Sequence, residues 1–227
     1  MTNDPLKAAV LAVRIIPNAT KGMLKELEIS ERHTSLGIFT ADSDDVAYVA
    51  LDEATKKADV KVVYAKSFYG GAANANTKLA GEVIGIVSAS NPEEIRTALD
   101  TICHTIENGA AHFVSANQDD SIAYFSHLVS RSGSYLSKIA GVAEGSSLAY
   151  LIAPPLEAMY GLDAALKAAN VKIAVFFGPP SETNFGGALL TGSLSSCQAA
   201  CDAFSSAVLE VAQNPGTSLL NTGSNFC

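Results

Sequence analysis

Asp42, Asp44 and Asp45 crowd three carboxylates into four residues, and no basic residue stands between Arg32 and Lys56. Three oxygens-rich side chains at that spacing could bind calcium, cap a helix or attract a small cation. The calcium reading fails on loop chemistry: an EF-hand needs a ligand and a glycine at its fifth and sixth positions, where this chain has Val46 and Ala47. Two readings stay open: a solvated turn in which an aspartate caps the next segment, or an electrostatic sink for a small cation. Cys197 and Cys201, spaced i, i+4, would share one helix face. They are half of a metal site or two small buried hydrophobes, and no histidine or further cysteine lies nearby to complete a site. His33, His104, His112 and His127 are scattered. The chain has no Gly-x-Ser-x-Gly, Walker loop, His-Glu-x-x-His or Gly-x-Gly-x-x-Gly following a strand, so catalysis has no support.

The elements that must position these residues come from an apolar, acidic chain. Its 227 residues are 48% hydrophobic and 17% charged, enough to build a sizeable core. The net charge of -8, with no cluster of Lys and Arg, makes nucleic acid and anionic membranes poor partners. Apolar runs such as residues 8–13 fall far short of the roughly 18 needed to span a bilayer, and residues 1–5 do not read as a signal peptide. Four unevenly spaced cysteines imply no disulfide framework, which fits the cytosol. Thirty-six alanines and no tryptophan favour closely packed helices or close subunit contacts.

The chain repeats itself. Asp52-Glu-Ala-Thr-Lys-Lys-Ala-Asp-Val-Lys-Val-Val63 parallels Asp163-Ala-Ala-Leu-Lys-Ala-Ala-Asn-Val-Lys-Ile-Ala174. Ser35-Leu-Gly-Ile-Phe-Thr-Ala41 parallels Ser147-Leu-Ala-Tyr-Leu-Ile-Ala153, and Gly81-Glu-Val-Ile-Gly85 parallels Gly187-Ala-Leu-Leu-Thr191. Each half predicts strand, helix, strand, strand, helix, strand, strand, helix. Helices are expected at residues 20–27, 91–107 and 195–212, with Asn91 capping one and Ser195 or Ser196 another. Apolar stripes of Ile95, Leu99, Ile102 and Ile106, and of Cys197, Ala200, Phe204 and Val208, read as core. The charge divides evenly: 11 basic and 15 acidic residues to Phe113, then 4 and 8, give -4 for each half. These observations predict two α+β domains, residues 1–113 and 114–215, joined near the polar Asn117-Gln-Asp-Asp120, with a disordered tail at 216–227. Two loops poor in charge, 67–78 and 178–187, fall at equivalent places. They are mobile connectors, or they line a shared opening.

Leu166-Lys-Ala-Ala-Asn-Val-Lys172, preceded by Pro155-Leu-Glu-Ala-Met-Tyr160, resembles a bacterial microcompartment shell domain. Combined with Ala41-Asp-Ser-Asp-Asp-Val46, Ile106-Glu-Asn-Gly-Ala-Ala111, Ser130-Arg-Ser-Gly-Ser-Tyr-Leu136, Ala153-Pro-Pro-Leu-Glu157 and Pro179-Pro-Ser-Glu-Thr-Asn184, it makes residues 8–215 similar to tandem-domain shell proteins of the L type linked to ethanolamine utilisation. The resemblance implies two circularly permuted, ferredoxin-like shell domains, because a strand and a helix precede the strand that opens an ordinary shell domain. It also implies a homotrimeric, pseudo-hexagonal tile that packs with other shell proteins around ethanolamine-degrading enzymes, inside a cytoplasmic microcompartment. A soluble two-repeat binding or regulatory protein that does not tile is the alternative, and a hydrolase using the acid cluster is a third.

The resemblance further implies an edge lysine in each repeat, Lys56 and Lys167, laid along a neighbour and donating to backbone carbonyls. Each lysine taken alone reads as a solvated helix end. For a small ethanolamine pore in each subunit it implies Asp44, Asp45, Glu82 and Phe113, with Glu182 and Thr183 from the second loop. His112 takes the place of Phe113 if the alignment slips by one residue. An aromatic face would attract an ammonium by cation–π interaction. Cobalamin is associated with this type of shell protein, although the chain has no cobalamin motif and needs no cofactor on this reading. Whether a metal binds stays open.

Overall fold

The computed structural model describes residues 2–30, 32–68, 82–179, 181 and 185–215. A short strand β1 (Pro5–Leu6) comes first. Seven elements then follow in the first half: β2 (Val10–Ile16), α1 (Lys21–Glu26), β3 (Ser35–Ala41), α2 (Asp44–Lys57), β4 (Lys61–Phe68), β5 (Glu82–Ala89) and α3 (Pro92–Asn108). After β6 (Phe113–Ser115), the same seven recur: β7 (Ala123–Val129), α4 (Ser134–Ala140), β8 (Ser147–Ala153), α5 (Pro155–Ala168), β9 (Val171–Phe177), β10 (Gly186–Gly192) and α6 (Leu194–Gln213). The antiparallel sheets match as well, β2-β3-β5-β4 and β7-β8-β10-β9. Beyond β7 the second sheet gains β6 and then β1, with Phe113 opposite both Leu6 and Phe125.

The sequence predicts a strand between β3 and α2 and another between β8 and α5 that the structure does not have; the fifth strand of each half, β1 or β6, instead comes first. Only Asp42 and Ser43 separate β3 from α2, and only Pro154 separates β8 from α5, which leaves no room for a further strand. Asn91 caps α3 as expected, accepting from the Glu93 and Glu94 amides at 3.0 Å each. The cap of α6 is Ser193 rather than Ser195 or Ser196, and it accepts from the Ser196 amide at 3.1 Å. The stripe of α3 is buried, as is that of α6 with Cys201 added. Burial pushes the Cys201 thiol up to about 12 and raises that of Cys197. Both cysteines pack as small hydrophobes in the second core.

The second sheet is covered on both faces, which explains why β8 is a continuous apolar run. Ala149, Leu151 and Ala153 pack with α5 and α6, whereas Leu148, Tyr150 and Ile152 join a core shared with the first half. That shared core is built largely on α2, which lies against α4. The contact is fastened by Asp52, only 1% exposed. Its carboxylate accepts from the amides of Gly133 (2.7 Å) and Leu136 (2.8 Å) at the start of α4, donors that a helix leaves without partners. The Thr55 hydroxyl accepts from the Ser134 amide at 3.1 Å. A Cβ on residue 133 would lie 2.6 Å from the Asp52 carbonyl oxygen and 2.4 Å from Thr55 Oγ1, so only glycine lets the helices approach this closely.

Candidate functional site

Where α2 begins, the shared core opens into a cavity of about 300 Å³. Its walls come from both halves: Asp44, Asp45 and Tyr48 of α2, Ser67 of β4, Tyr135 of α4, Tyr150 of β8 and Phe177 of β9. No Lys, Arg or His is among the described residues that line it. Asp44 and Asp45 are 4% and 5% exposed, so the first turn of α2 is not the solvated turn that was one reading of the sequence. The helix N-terminus favours negative charge there.

The two carboxylates are held by different partners. Tyr150 Oη donates to Asp45 Oδ1 at 2.6 Å. Ser67 Oγ donates to Asp44 Oδ2 at 2.5 Å. Because the Ser67 proton is committed to Asp44, the Tyr48 hydroxyl donates to Ser67 Oγ, at 2.8 Å. Asp44 Oδ1 also accepts the Asp45 amide at 2.8 Å. Burial, reinforced by the adjacent Asp44 charge, holds Asp45 well above the usual carboxylate range, and the Tyr150 hydrogen bond offsets only part of this. Burial likewise raises Tyr48, Tyr135 and Tyr150, so all three phenols stay protonated donors. Two carboxylates and three phenols thus line one space.

Asp42 lies outside the cavity. It accepts the Ala9 amide at 2.7 Å and fastens the start of β2 to the end of β3, and burial raises its carboxyl. Glu82 opens β5 opposite Phe68, one residue along from the Ser67–Val83 pair, and is not among the residues that line the cavity. Phe113 is fully buried, with ring centroids 5.3 Å from Phe125 and 6.0 Å from Phe185. Phe125 in turn lies 5.3 Å from Tyr150, so Phe113 stands behind the cavity wall. The half-buried His112 precedes it, lowered by burial and by Lys7, and does not line the cavity. His127, on β7, is held down to about 4 by burial and by its neighbours His112 and Lys56. Glu182, Thr183 and most of the 67–78 loop lie outside the described residues, as does the 216–227 tail; Ser181, which lines the cavity, immediately precedes Glu182.

Lys56 Nζ reaches the Arg131 carbonyl oxygen at 2.8 Å and ion-pairs with Asp52 at 3.3 Å and with Glu53. It does what an edge lysine would do, donating to a neighbour's backbone, but the neighbour is the second half of its own chain. Lys167 is exposed and pairs only along its own helix with Asp163. Among the described residues, no group of three or more His, Cys, Asp or Glu side chains could hold a metal ion, and no helix is long and apolar enough to cross a membrane.

Tyr48, Ser67, Tyr135, Tyr150 and Phe177 escaped the reading of the sequence. Tyr135 sits in the Ser130-Arg-Ser-Gly-Ser-Tyr-Leu136 segment, which had been singled out for other reasons. Tyr150 looks like any residue of an apolar strand until its partner Asp45, 105 residues away, is known.

Comparison with known proteins shows the family and the fold. The BMC domain profile matches residues 35–118, beginning at β3. A bacterial microcompartment shell protein EutL from Clostridium perfringens is 61% identical over 215 residues, covering 95% of this chain and 99% of that protein. The Salmonella typhimurium EutL is 50% identical over 93% of this chain and 96% of its own length. The crystal structure of ethanolamine utilization protein EutL from Leptotrichia buccalis superposes with a TM-score of 0.90 at 67% identity, covering 95% of this chain and 99% of that one. The chain belongs to the EutL family of bacterial microcompartment shell proteins. Its two sheets of matching strand order are therefore tandem, circularly permuted shell domains, with β2 and α1 placed before the strand at which the domain profile begins. EutL proteins are structural components of the shell, and this chain is one of them rather than an enzyme.

Proposed function

We propose that three copies of this chain close into a pseudo-hexagonal tile of a microcompartment shell that serves ethanolamine degradation, and that the cavity of each subunit binds ethanolamine. The cavity itself carries the second part: buried Asp44 and Asp45 face an enclosed, aromatic-walled space without a basic residue among its described lining. Asp44 and Asp45 hold the ammonium, and Glu82 draws cations towards the opening. Phe113 backs the wall.

The likeness of the repeats supports the trimer. On α2, Asp45, Val49 and Asp52 are buried, Tyr48 is half-buried, and Lys56 reaches across to the second half at Arg131. Their counterparts on α5, displaced by 111, are Leu156, Met159, Tyr160, Asp163 and Lys167, and these are exposed. The face that α2 buries within the chain is the face that α5 presents outward, and the first half of another copy is its natural cover. Three such contacts close a ring of six domains meeting near residues 113–114 of each chain. Lys167 then reaches the turn before α1 of the next copy, as Lys56 reaches Arg131, and lies at the tile edge.

Electron microscopy of the purified protein tests the tile. Flat sheets of hexagonal outline are expected, whereas dispersed particles alone at high concentration, insensitive to substitution of Lys56 and Lys167, would contradict it. Calorimetric titration with ethanolamine tests the cavity, and absence of binding would overturn that part.

A further inference from the structure

The polar groups of the cavity are not equally engaged. Tyr150 donates to Asp45, Ser67 to Asp44, and Tyr48 to Ser67. The Tyr135 hydroxyl has no hydrogen-bond partner among the described residues, and Tyr135 lines the same space. Its ring packs 6.2 Å from that of Tyr48, tilted by 48°, which fixes the direction of the phenol. The backbone amide of the next residue, Leu136, is bound by Asp52, so the first turn of α4 cannot drift. Burial, with the charges of Asp52 and Asp44 nearby, keeps the phenol protonated.

We propose that Tyr135 determines the specificity of the cavity for amino alcohols, its hydroxyl pairing with the hydroxyl of a two-carbon ligand whose ammonium rests on Asp44 and Asp45. This inference rests on the reading of the cavity as an ammonium site. A ligand with only an ammonium forgoes the hydrogen bond to the Tyr135 hydroxyl, which then has only water as a partner. A ligand with a second polar group two carbons away satisfies both ends. Sites that hydrogen-bond a ligand hydroxyl reject the analogue lacking it more strongly than apolar pockets reject a missing methylene.

The test titrates the intact protein with ethanolamine and, separately, with ethylamine, which keeps the ammonium and lacks the hydroxyl. Wild-type protein is expected to bind ethanolamine at least about tenfold more tightly than ethylamine. In Tyr135→Phe, ethanolamine should fall to the level of ethylamine while the affinity for ethylamine stays the same. Equal affinities in the wild type, or a preference that survives Tyr135→Phe, would overturn the role of Tyr135 and leave the ammonium site standing. Failure of the wild type to bind either amine would overturn both. The wild-type comparison needs no variant, so poor folding of Tyr135→Phe would not shield the proposal.

Discussion

The start of α2 and the start of α5 occupy the same place in two copies of one fold, yet their surroundings are opposite in character. In the first repeat Asp44 and Asp45 are almost completely covered; at the aligned positions the second repeat has Pro155 and Leu156, the latter 64% exposed. The sheet positions that face these turns differ too. Tyr150, opposite Leu189, is the partner of Asp45, whereas the matching position of the first sheet, opposite Ile86, is the apolar Ile38. Duplication supplied two equivalent helix faces. One is closed within the chain around charge, and the other is left apolar and outward. The lesson is that matching backbone can take on opposite surroundings, one buried and charged and the other exposed and apolar, through a handful of side chains.

Breaking the outward face should have the largest effect. Met159→Asp or Tyr160→Glu is expected to weaken trimer formation more than about a hundredfold, measured by sedimentation, while the monomer melts almost normally. Persistent trimers would refute the equivalence of the two faces. In that monomeric background, Asp52→Ala should cost about 3 kcal/mol in denaturant unfolding, because it strands the buried Gly133 and Leu136 amides. Asp163→Ala, at the matching exposed position, should change stability by less than about 0.5 kcal/mol. Similar costs would erase the distinction between the repeats.

Acidity sharpens the comparison at the charged turn. Asp45 is raised in the folded protein, so the empty cavity retains a proton that a free aspartate would release. Ethanolamine binding should therefore strengthen as pH rises through the raised range of Asp45, until the amine itself deprotonates. The sign for stability is the reverse: the folded state binds this proton more tightly, so Asp45 costs stability as pH rises above the ordinary carboxylate range. Asp45→Asn should flatten that decline in a melting series across pH. The smallest effect belongs to Glu82: Glu82→Ala is expected to weaken ethanolamine by about threefold in calorimetry; a loss as large as that from Asp45 would move the site outward.

The repeat and its permutation were legible because they are written locally. The Ala-Asp/Asn-Val junctions, the apolar strands and the Asn91 cap each depend on neighbours in sequence. The burial of Asp44 and Asp45 was not legible, because it depends on the second half lying over α2. The hold of Asp52 on Gly133 spans 81 residues and that of Tyr150 on Asp45 spans 105, and nothing in either segment announces its partner. Lys56 and Lys167 look alike in sequence for the same reason, although one is engaged inside the chain and the other exposed.

The central claim, that only the first repeat carries a cation site, is tested most directly by the stoichiometry of ethanolamine binding in calorimetric titration of the wild type and Asp45→Asn. One ethanolamine per wild-type chain and none detectable in the folded variant are predicted. Two per chain, or undiminished binding by Asp45→Asn, would contradict it.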